Sequence, residues 1–71
     1  MTQEHIKRFN MLGLDVGERD STSFVIYNSD DLSILVFKDS TGWVYHLYEG
    51  FYVDLAVAKL LLEVLEELNA K

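Results

Sequence analysis

The sequence contains no cysteine and no proline, and it is poor in positive charge, with 6 Lys and Arg against 12 Asp and Glu for a net charge of −6. Without cysteine, neither a disulfide nor a thiolate metal site can hold the fold together, which fits a reducing compartment. With so few cations, direct binding to a nucleic-acid backbone is disfavoured, because that binding depends on Lys and Arg displacing counterions. An anionic membrane surface is disfavoured for the same reason. An acidic chain is better matched to a basic protein partner, or simply to solubility. No apolar run approaches the ~20 residues that span a bilayer. The opening Met1-Thr2-Gln3-Glu4-His5 is polar and lacks the apolar stretch of a secretory signal. A soluble, cytoplasmic protein without cofactor or membrane is expected.

Hydrophobic residues make up 49% of the chain and aromatics 13%, which is the reverse of the composition that keeps a chain disordered. Seventy-one residues suffice for one domain, 1–71, and leave no room for a second.

The first helix is expected over about Thr2 to Leu12. Thr2 is the N-cap candidate and Glu4 sits where the helix dipole favours a negative charge. Ile6, Phe9 and Leu12 form its apolar stripe. Gly13 suits a left-handed stop, with Leu14 placed to touch Phe9 in a Schellman motif. Residues 15–23 are polar and read as a connecting loop. Three runs rich in β-branched and aromatic residues follow: Phe24-Val25-Ile26-Tyr27, Leu32-Ser33-Ile34-Leu35-Val36-Phe37 and Trp43-Val44-Tyr45-His46-Leu47-Tyr48. The turn compositions Asn28-Ser29-Asp30-Asp31 and Asp39-Ser40-Thr41-Gly42 separate them, so the strands should form an antiparallel meander. After Gly50 the period changes to 3.6. Val57, Leu61, Val64, Leu65 and Leu68 share one helix face, widened by Leu60 and Leu62, opposite Lys59, Glu63, Glu66, Glu67 and Ala70. This second helix should run from Tyr52 or Asp54 to about Asn69. The predicted class is α+β, in the order α-β-β-β-α, with a three-stranded meander and two helices packed on one sheet face.

Such a sheet has two apolar faces. With Tyr27 opposite Leu32 and Phe37 opposite Val44, strict alternation puts Phe24, Ile26, Ser33, Leu35, Phe37, Val44, His46 and Tyr48 on one side. Val25, Tyr27, Leu32, Ile34, Val36, Trp43, Tyr45 and Leu47 fall on the other. Phenylalanine has no polar group, so the first side is assigned to the interior. Val25, Tyr27, Ile34, Val36, Trp43, Tyr45 and Leu47 then form a face for a partner, in the first place a second copy of the chain. A helix crossing to each side of the sheet would instead leave nothing exposed.

The acids concentrate early, with Asp15, Glu18, Asp20, Asp30 and Asp31 against Arg19 alone in residues 15–31. If 15–23 is a loop, Asp15, Glu18, Asp20 and Asp39 gather at one end of the sheet. A second helix running back antiparallel to the last strand adds Glu66 and Glu67 to this rim. It would attract a basic protein and could imitate nucleic-acid phosphates. Solvated loops and a solvated helix face explain the same acids without any partner.

Signals for chemistry are absent. His5 reads as a surface residue and His46 as a core or edge histidine. No pair of histidines has i, i+4 spacing, no calcium-loop spacing surrounds Asp30, Asp31 or Asp39, and neither a phosphate loop nor a nucleophile elbow occurs. No catalytic or metal-binding residue is assigned, and the chain is not expected to be an enzyme. The element order resembles that of double-stranded-RNA-binding domains. Those domains begin their second helix with a lysine cluster, where this chain has Gly50-Phe51-Tyr52-Val53-Asp54. They carry a Gly-Pro-x-His loop, where this chain has Asn28-Ser29-Asp30-Asp31. Both departures argue against RNA binding. In order and charge the chain is also similar to small acidic phage inhibitors, including some anti-CRISPR proteins, a fold-level analogy. The sequence therefore points to a self-associating interaction module or to an acidic inhibitor of a basic nucleic-acid-binding protein.

Overall fold

The computed structural model describes residues 1–28, 32–49 and 51–70. It contains α1 (Gln3–Met11), β1 (Asp15–Asp20), β2 (Ser23–Tyr27), β3 (Leu32–Asp39), β4 (Gly42–Leu47) and α2 (Leu55–Asn69). The class is α+β as expected, but the sheet has four antiparallel strands in the order β1-β2-β3-β4. The additional strand is Asp15–Asp20, where the sequence suggested a loop. Its own residues have little strand propensity. It is held by pairing with β2, Asp15 with Tyr27, Val16 with Ile26, Gly17 with Val25 and Glu18 with Phe24. A polar edge strand of this kind needs only one ladder and exposes its charges to water, which discourages pairing with other chains.

Local signals start and stop the helices. Thr2 caps α1: its Oγ1 accepts from the His5 N–H at 3.2 Å, and its own N–H donates to His5 Nδ1 at 3.4 Å. Histidine thus plays the reciprocal role that Glu or Gln usually has in a capping box. At the other end Leu14 N–H donates to the Phe9 carbonyl and Gly13 N–H to that of Asn10, with Gly13 at φ 82°. This is the expected Schellman stop, and Phe9 and Leu14 are both buried in the same core. Asp54 caps α2 by accepting from the Val57 N–H at 2.9 Å.

Both helices lie on one side of the sheet. Phe9 and Leu14, with Val57, Leu60, Leu61 and Val64 of α2, enclose Phe24, Ile26, Ile34 and Val36. Three helix positions differ from expectation. Leu62 is 54% exposed and Leu12 41%, whereas His5 is buried at 4%. His5 lies one turn before Phe9, so the i, i+4 pair His5/Phe9 faces the core and the stripe through Leu12 rotates away.

The pairs Tyr27–Leu32 and Phe37–Val44 form as expected. Between Ile26 and Tyr27, however, the register shifts, and Ile26 pairs with Ile34, Val25 with Leu35 and Phe24 with Val36. A shift of one residue moves every β2 side chain to the opposite face relative to β3 and β4. The helix side therefore carries Phe24 and Ile26 of β2 together with Ile34, Val36, Trp43, Tyr45 and Leu47. The far side carries Val25, Tyr27, Leu35, Phe37, Val44 and His46. The expected turn at Asn28-Ser29-Asp30-Asp31 lies, from Ser29 to Asp31, outside the described residues, as does Gly50.

Candidate functional site

Among the described residues no helix covers the far side of the sheet. Val25, Leu35 and His46 form one row across β2, β3 and β4, and Ser23, Phe37 and Val44 form the next. Tyr27 stands beside Val25 two residues along β2. Val25, Tyr27, Leu35, Phe37 and Val44 are each half-buried by their neighbours in the sheet, and His46 is exposed. None of the five carries a charge. Gly17 on β1 lets the patch close at that edge, since a Cβ there would stand 3.3 Å from Tyr27 Cε1 and 3.4 Å from Val25 Cγ2. At the β4 edge the His46 and Tyr48 rings meet edge to face, with centroids 5.7 Å apart.

Of the partner face read from sequence, Val25 and Tyr27 belong to this open side. Ile34 and Val36 do not: both are 0% exposed, in the centre of the core. Trp43 also turns toward the helices, with its ring 5.9 Å from that of Phe24. Tyr45 and Leu47 lie on the helix side but remain 44% and 37% exposed, at the margin of β4. Leu35, Phe37 and Val44 take the vacated places. The signal that could have identified them is a bulge, which strict alternation does not allow for.

The acidic rim is also divided. Asp20 and Asp39 close the β1–β2 and β3–β4 hairpins at one end of the sheet. The last turn of α2 reaches this end, where Asn69 Oδ1 accepts from the Trp43 N–H at 2.7 Å and Asn69 Nδ2 donates to the Trp43 carbonyl at 3.1 Å. Glu66, one turn earlier, is exposed. Asp15 lies at the far end of β1, about 16 Å away for five residues of strand, because the segment is extended and not a loop. Glu67 is turned inward toward His5, its Oε2 3.3 Å from His5 Nε2. Glu63 Oε1 is 3.8 Å from the same nitrogen and accepts from Arg8 Nη1 at 2.8 Å. That bond from Arg8 holds the Glu63 carboxyl below its ordinary range and raises the Arg8 guanidinium correspondingly. This polar clamp between α1 and α2 departs from the sequence reading, in which His5 is a surface residue.

Asp20 and Asp39 are both held ionised by their turns. Asp20 Oδ1 accepts from Thr22 N–H at 2.8 Å, Ser23 Oγ at 2.9 Å and Thr22 Oγ1 at 3.0 Å, which lowers its pKa. Asp39 Oδ1 accepts from Thr41 Oγ1 at 2.6 Å and Thr41 N–H at 2.8 Å, with the same effect.

A cavity of about 430 Å³ opens between α1, the β1–β2 hairpin and the last turn of α2, walled by Ile6, Phe24, Trp43 and Leu68, with Glu18 and Asp20 also lining it. A second hollow of about 340 Å³ lies between Arg8, Met11 and Leu12 at the end of α1, and Ala56, Lys59 and Leu60 of α2. Among the described residues no three His, Asp or Glu side chains stand close enough to hold a metal ion. No helix among them is long and apolar enough to cross a membrane. Compared with family models, curated proteins and solved structures, the chain gives no significant match to any.

Proposed function

We propose that the protein is an interaction module that associates with a second copy of itself through the open face of its sheet. The observation that carries this reading is the uncharged patch of Val25, Tyr27, Leu35, Phe37 and Val44, which no helix among the described residues covers. Contiguous apolar surface of this kind is unfavourable in water and marks interaction sites. A two-fold axis through the patch would set like against like, and this arrangement suits a surface without charge at its centre. Most of the acids stand at the hairpin end and on the helices; Asp15, paired with Tyr27, marks the β1 margin of the contact. Two copies, each of charge −6, still repel at long range. Added salt should therefore strengthen the dimer by screening. This reading assigns no catalytic residue.

The test is sedimentation or light scattering across concentration and salt, on the natural chain and on Val44→Lys. Val44 is half-buried, so the variant should keep its thermal transition within a few degrees and lose self-association. Trp43→Lys, one residue away and packed against the core, should lower the thermal transition more than Val44→Lys does. A natural chain that stays monomeric at all concentrations, or a Val44→Lys variant that associates equally well, would discard the proposal.

A second reading is an acidic inhibitor of a basic nucleic-acid-binding protein. Asp20 and Asp39, fixed as anions at one end of the sheet, favour it. Its binding would weaken with salt, the opposite sign to self-association.

A further inference from the structure

We propose that the cavity between α1, the β1–β2 hairpin and the end of α2 receives an arginine side chain presented by a partner protein. The cavity lies on the helix side of the sheet, so its occupant does not depend on self-association through the open face. Its volume, about 430 Å³, is at the small end of the range for binding pockets, roughly 300–1,000 Å³. The walls, Ile6, Phe24, Trp43 and Leu68, are apolar and include two aromatic rings, and Glu18 and Asp20 add two carboxylates. No Lys or Arg lines it, whereas Met1, which bears the terminal amino group, does, as do Ser21 and Ser23.

The carboxylates here differ from those on α2. Glu63 is bonded to Arg8 and Glu67 faces His5. Among the described residues, neither Glu18 nor Asp20 forms a salt bridge with a cationic side chain; Arg19, their exposed neighbour on β1, does not line the cavity and acts on Asp20 only as the weakest of the causes that lower its pKa. Asp20 is additionally fixed in place by its three hydrogen bonds to Thr22 and Ser23. A cavity that is apolar and aromatic on its walls and anionic at one side selects a ligand of matching polarity. Arginine has an apolar stem that can lie against Leu68 and Ile6. Its planar guanidinium can stack on an indole or phenyl face while donating to a carboxylate. A neutral ligand would leave the carboxylates unused, and an anion would be repelled.

Trp43 is the sole tryptophan, so its fluorescence reports on the cavity directly. The full chain would be titrated with a blocked tripeptide carrying arginine at its centre, and with the same peptide carrying the neutral isostere citrulline. Amide shifts would be recorded in parallel. The expected result is a saturable change in Trp43 emission with the arginine peptide, with shifts confined to Val16, Glu18, Phe24, Trp43 and Leu68. Citrulline should bind about fivefold more weakly, and Glu18→Gln should weaken the arginine peptide by about threefold, as for a solvent-screened ion pair. Glu18 is exposed, so that variant keeps the fold. Lack of saturation, equal binding of the citrulline peptide, or unchanged affinity in Glu18→Gln would each overturn the proposal.

Discussion

The two hairpins at one end of the sheet turn on the same tripeptide. Asp20-Ser21-Thr22 joins β1 to β2 and Asp39-Ser40-Thr41 joins β3 to β4. In both, the aspartate Oδ1 accepts from the backbone N–H and the hydroxyl of the threonine two residues on, an Asx turn. The turns differ in the next residue and in its anchor. Ser23 is buried and adds its hydroxyl to Asp20, and the Thr22 carbonyl accepts from Lys38 N–H of β3 at 2.9 Å, so the first turn is tied to the sheet. Gly42 has φ 121°, where a side chain is strained, and a Cβ there would stand 2.6 Å from Asn69 Oδ1 and displace that amide, so the second turn is tied to α2 through a position that favours glycine. The same local chemistry is thus anchored by the sheet in one hairpin and by a helix in the other.

The largest way to separate the hairpins is Gly42→Ala. It forces a residue with a Cβ into left-handed backbone and pushes Asn69 off Trp43, for an expected loss of about 2–3 kcal/mol in chemical denaturation. Ser23→Ala in the first hairpin removes one hydrogen bond and should cost about 1 kcal/mol. If the two variants cost the same, the steric account of Gly42 is wrong. Next is Asn69→Ala, which removes the two bonds to Trp43 and should cost about 1 kcal/mol, with faster amide exchange at Trp43 and none of that effect at the first hairpin. The smallest effect is in acid. Because the folded pKa values of Asp20 and Asp39 are lowered, their contribution to stability is complete above the unfolded value and is lost as pH falls through the folded one, below about pH 4. Asp20→Asn with Asp39→Asn keeps an acceptor at each turn but cannot titrate. Its stability should vary less between about pH 4 and about pH 2, as read from denaturant midpoints, than that of the natural chain.

The two turns also differ in how legible they are from sequence. Asp39-Ser40-Thr41-Gly42 reads as a turn because apolar runs flank it on both sides. Asp20-Ser21-Thr22-Ser23 has the same chemistry but comes after Asp15-Val16-Gly17-Glu18-Arg19, which offers only Val16 to the core. A strand recruited by its neighbour's ladder leaves no periodic hydrophobic signal of its own. The helices, their caps and the Schellman stop at Gly13 are readable, since each depends on residues close in sequence. The open face is half readable. That both sheet sides are apolar is evident from composition, and Phe24 and Ile26 of β2 face the core as read, but which side of β3 and β4 joins them depends on the shift at Ile26/Tyr27. A bulge is a property of the paired strands and not of either run alone. The His5 clamp is out of reach for a similar reason, because its partners Glu63 and Glu67 lie at the other end of the chain.

His5 serves two structures at once. Its Nδ1 faces the Thr2 N–H, and its Nε2 faces the α2 carboxylates. A nine-residue helix is too short to persist alone in water. The imidazole that completes its first turn is also the one that meets the other helix, so α1 gains its beginning and its docking partner in a single event. The N-terminal helix should therefore appear late and all at once in folding, conditional on α2, even though its start and stop signals are the most local in the chain.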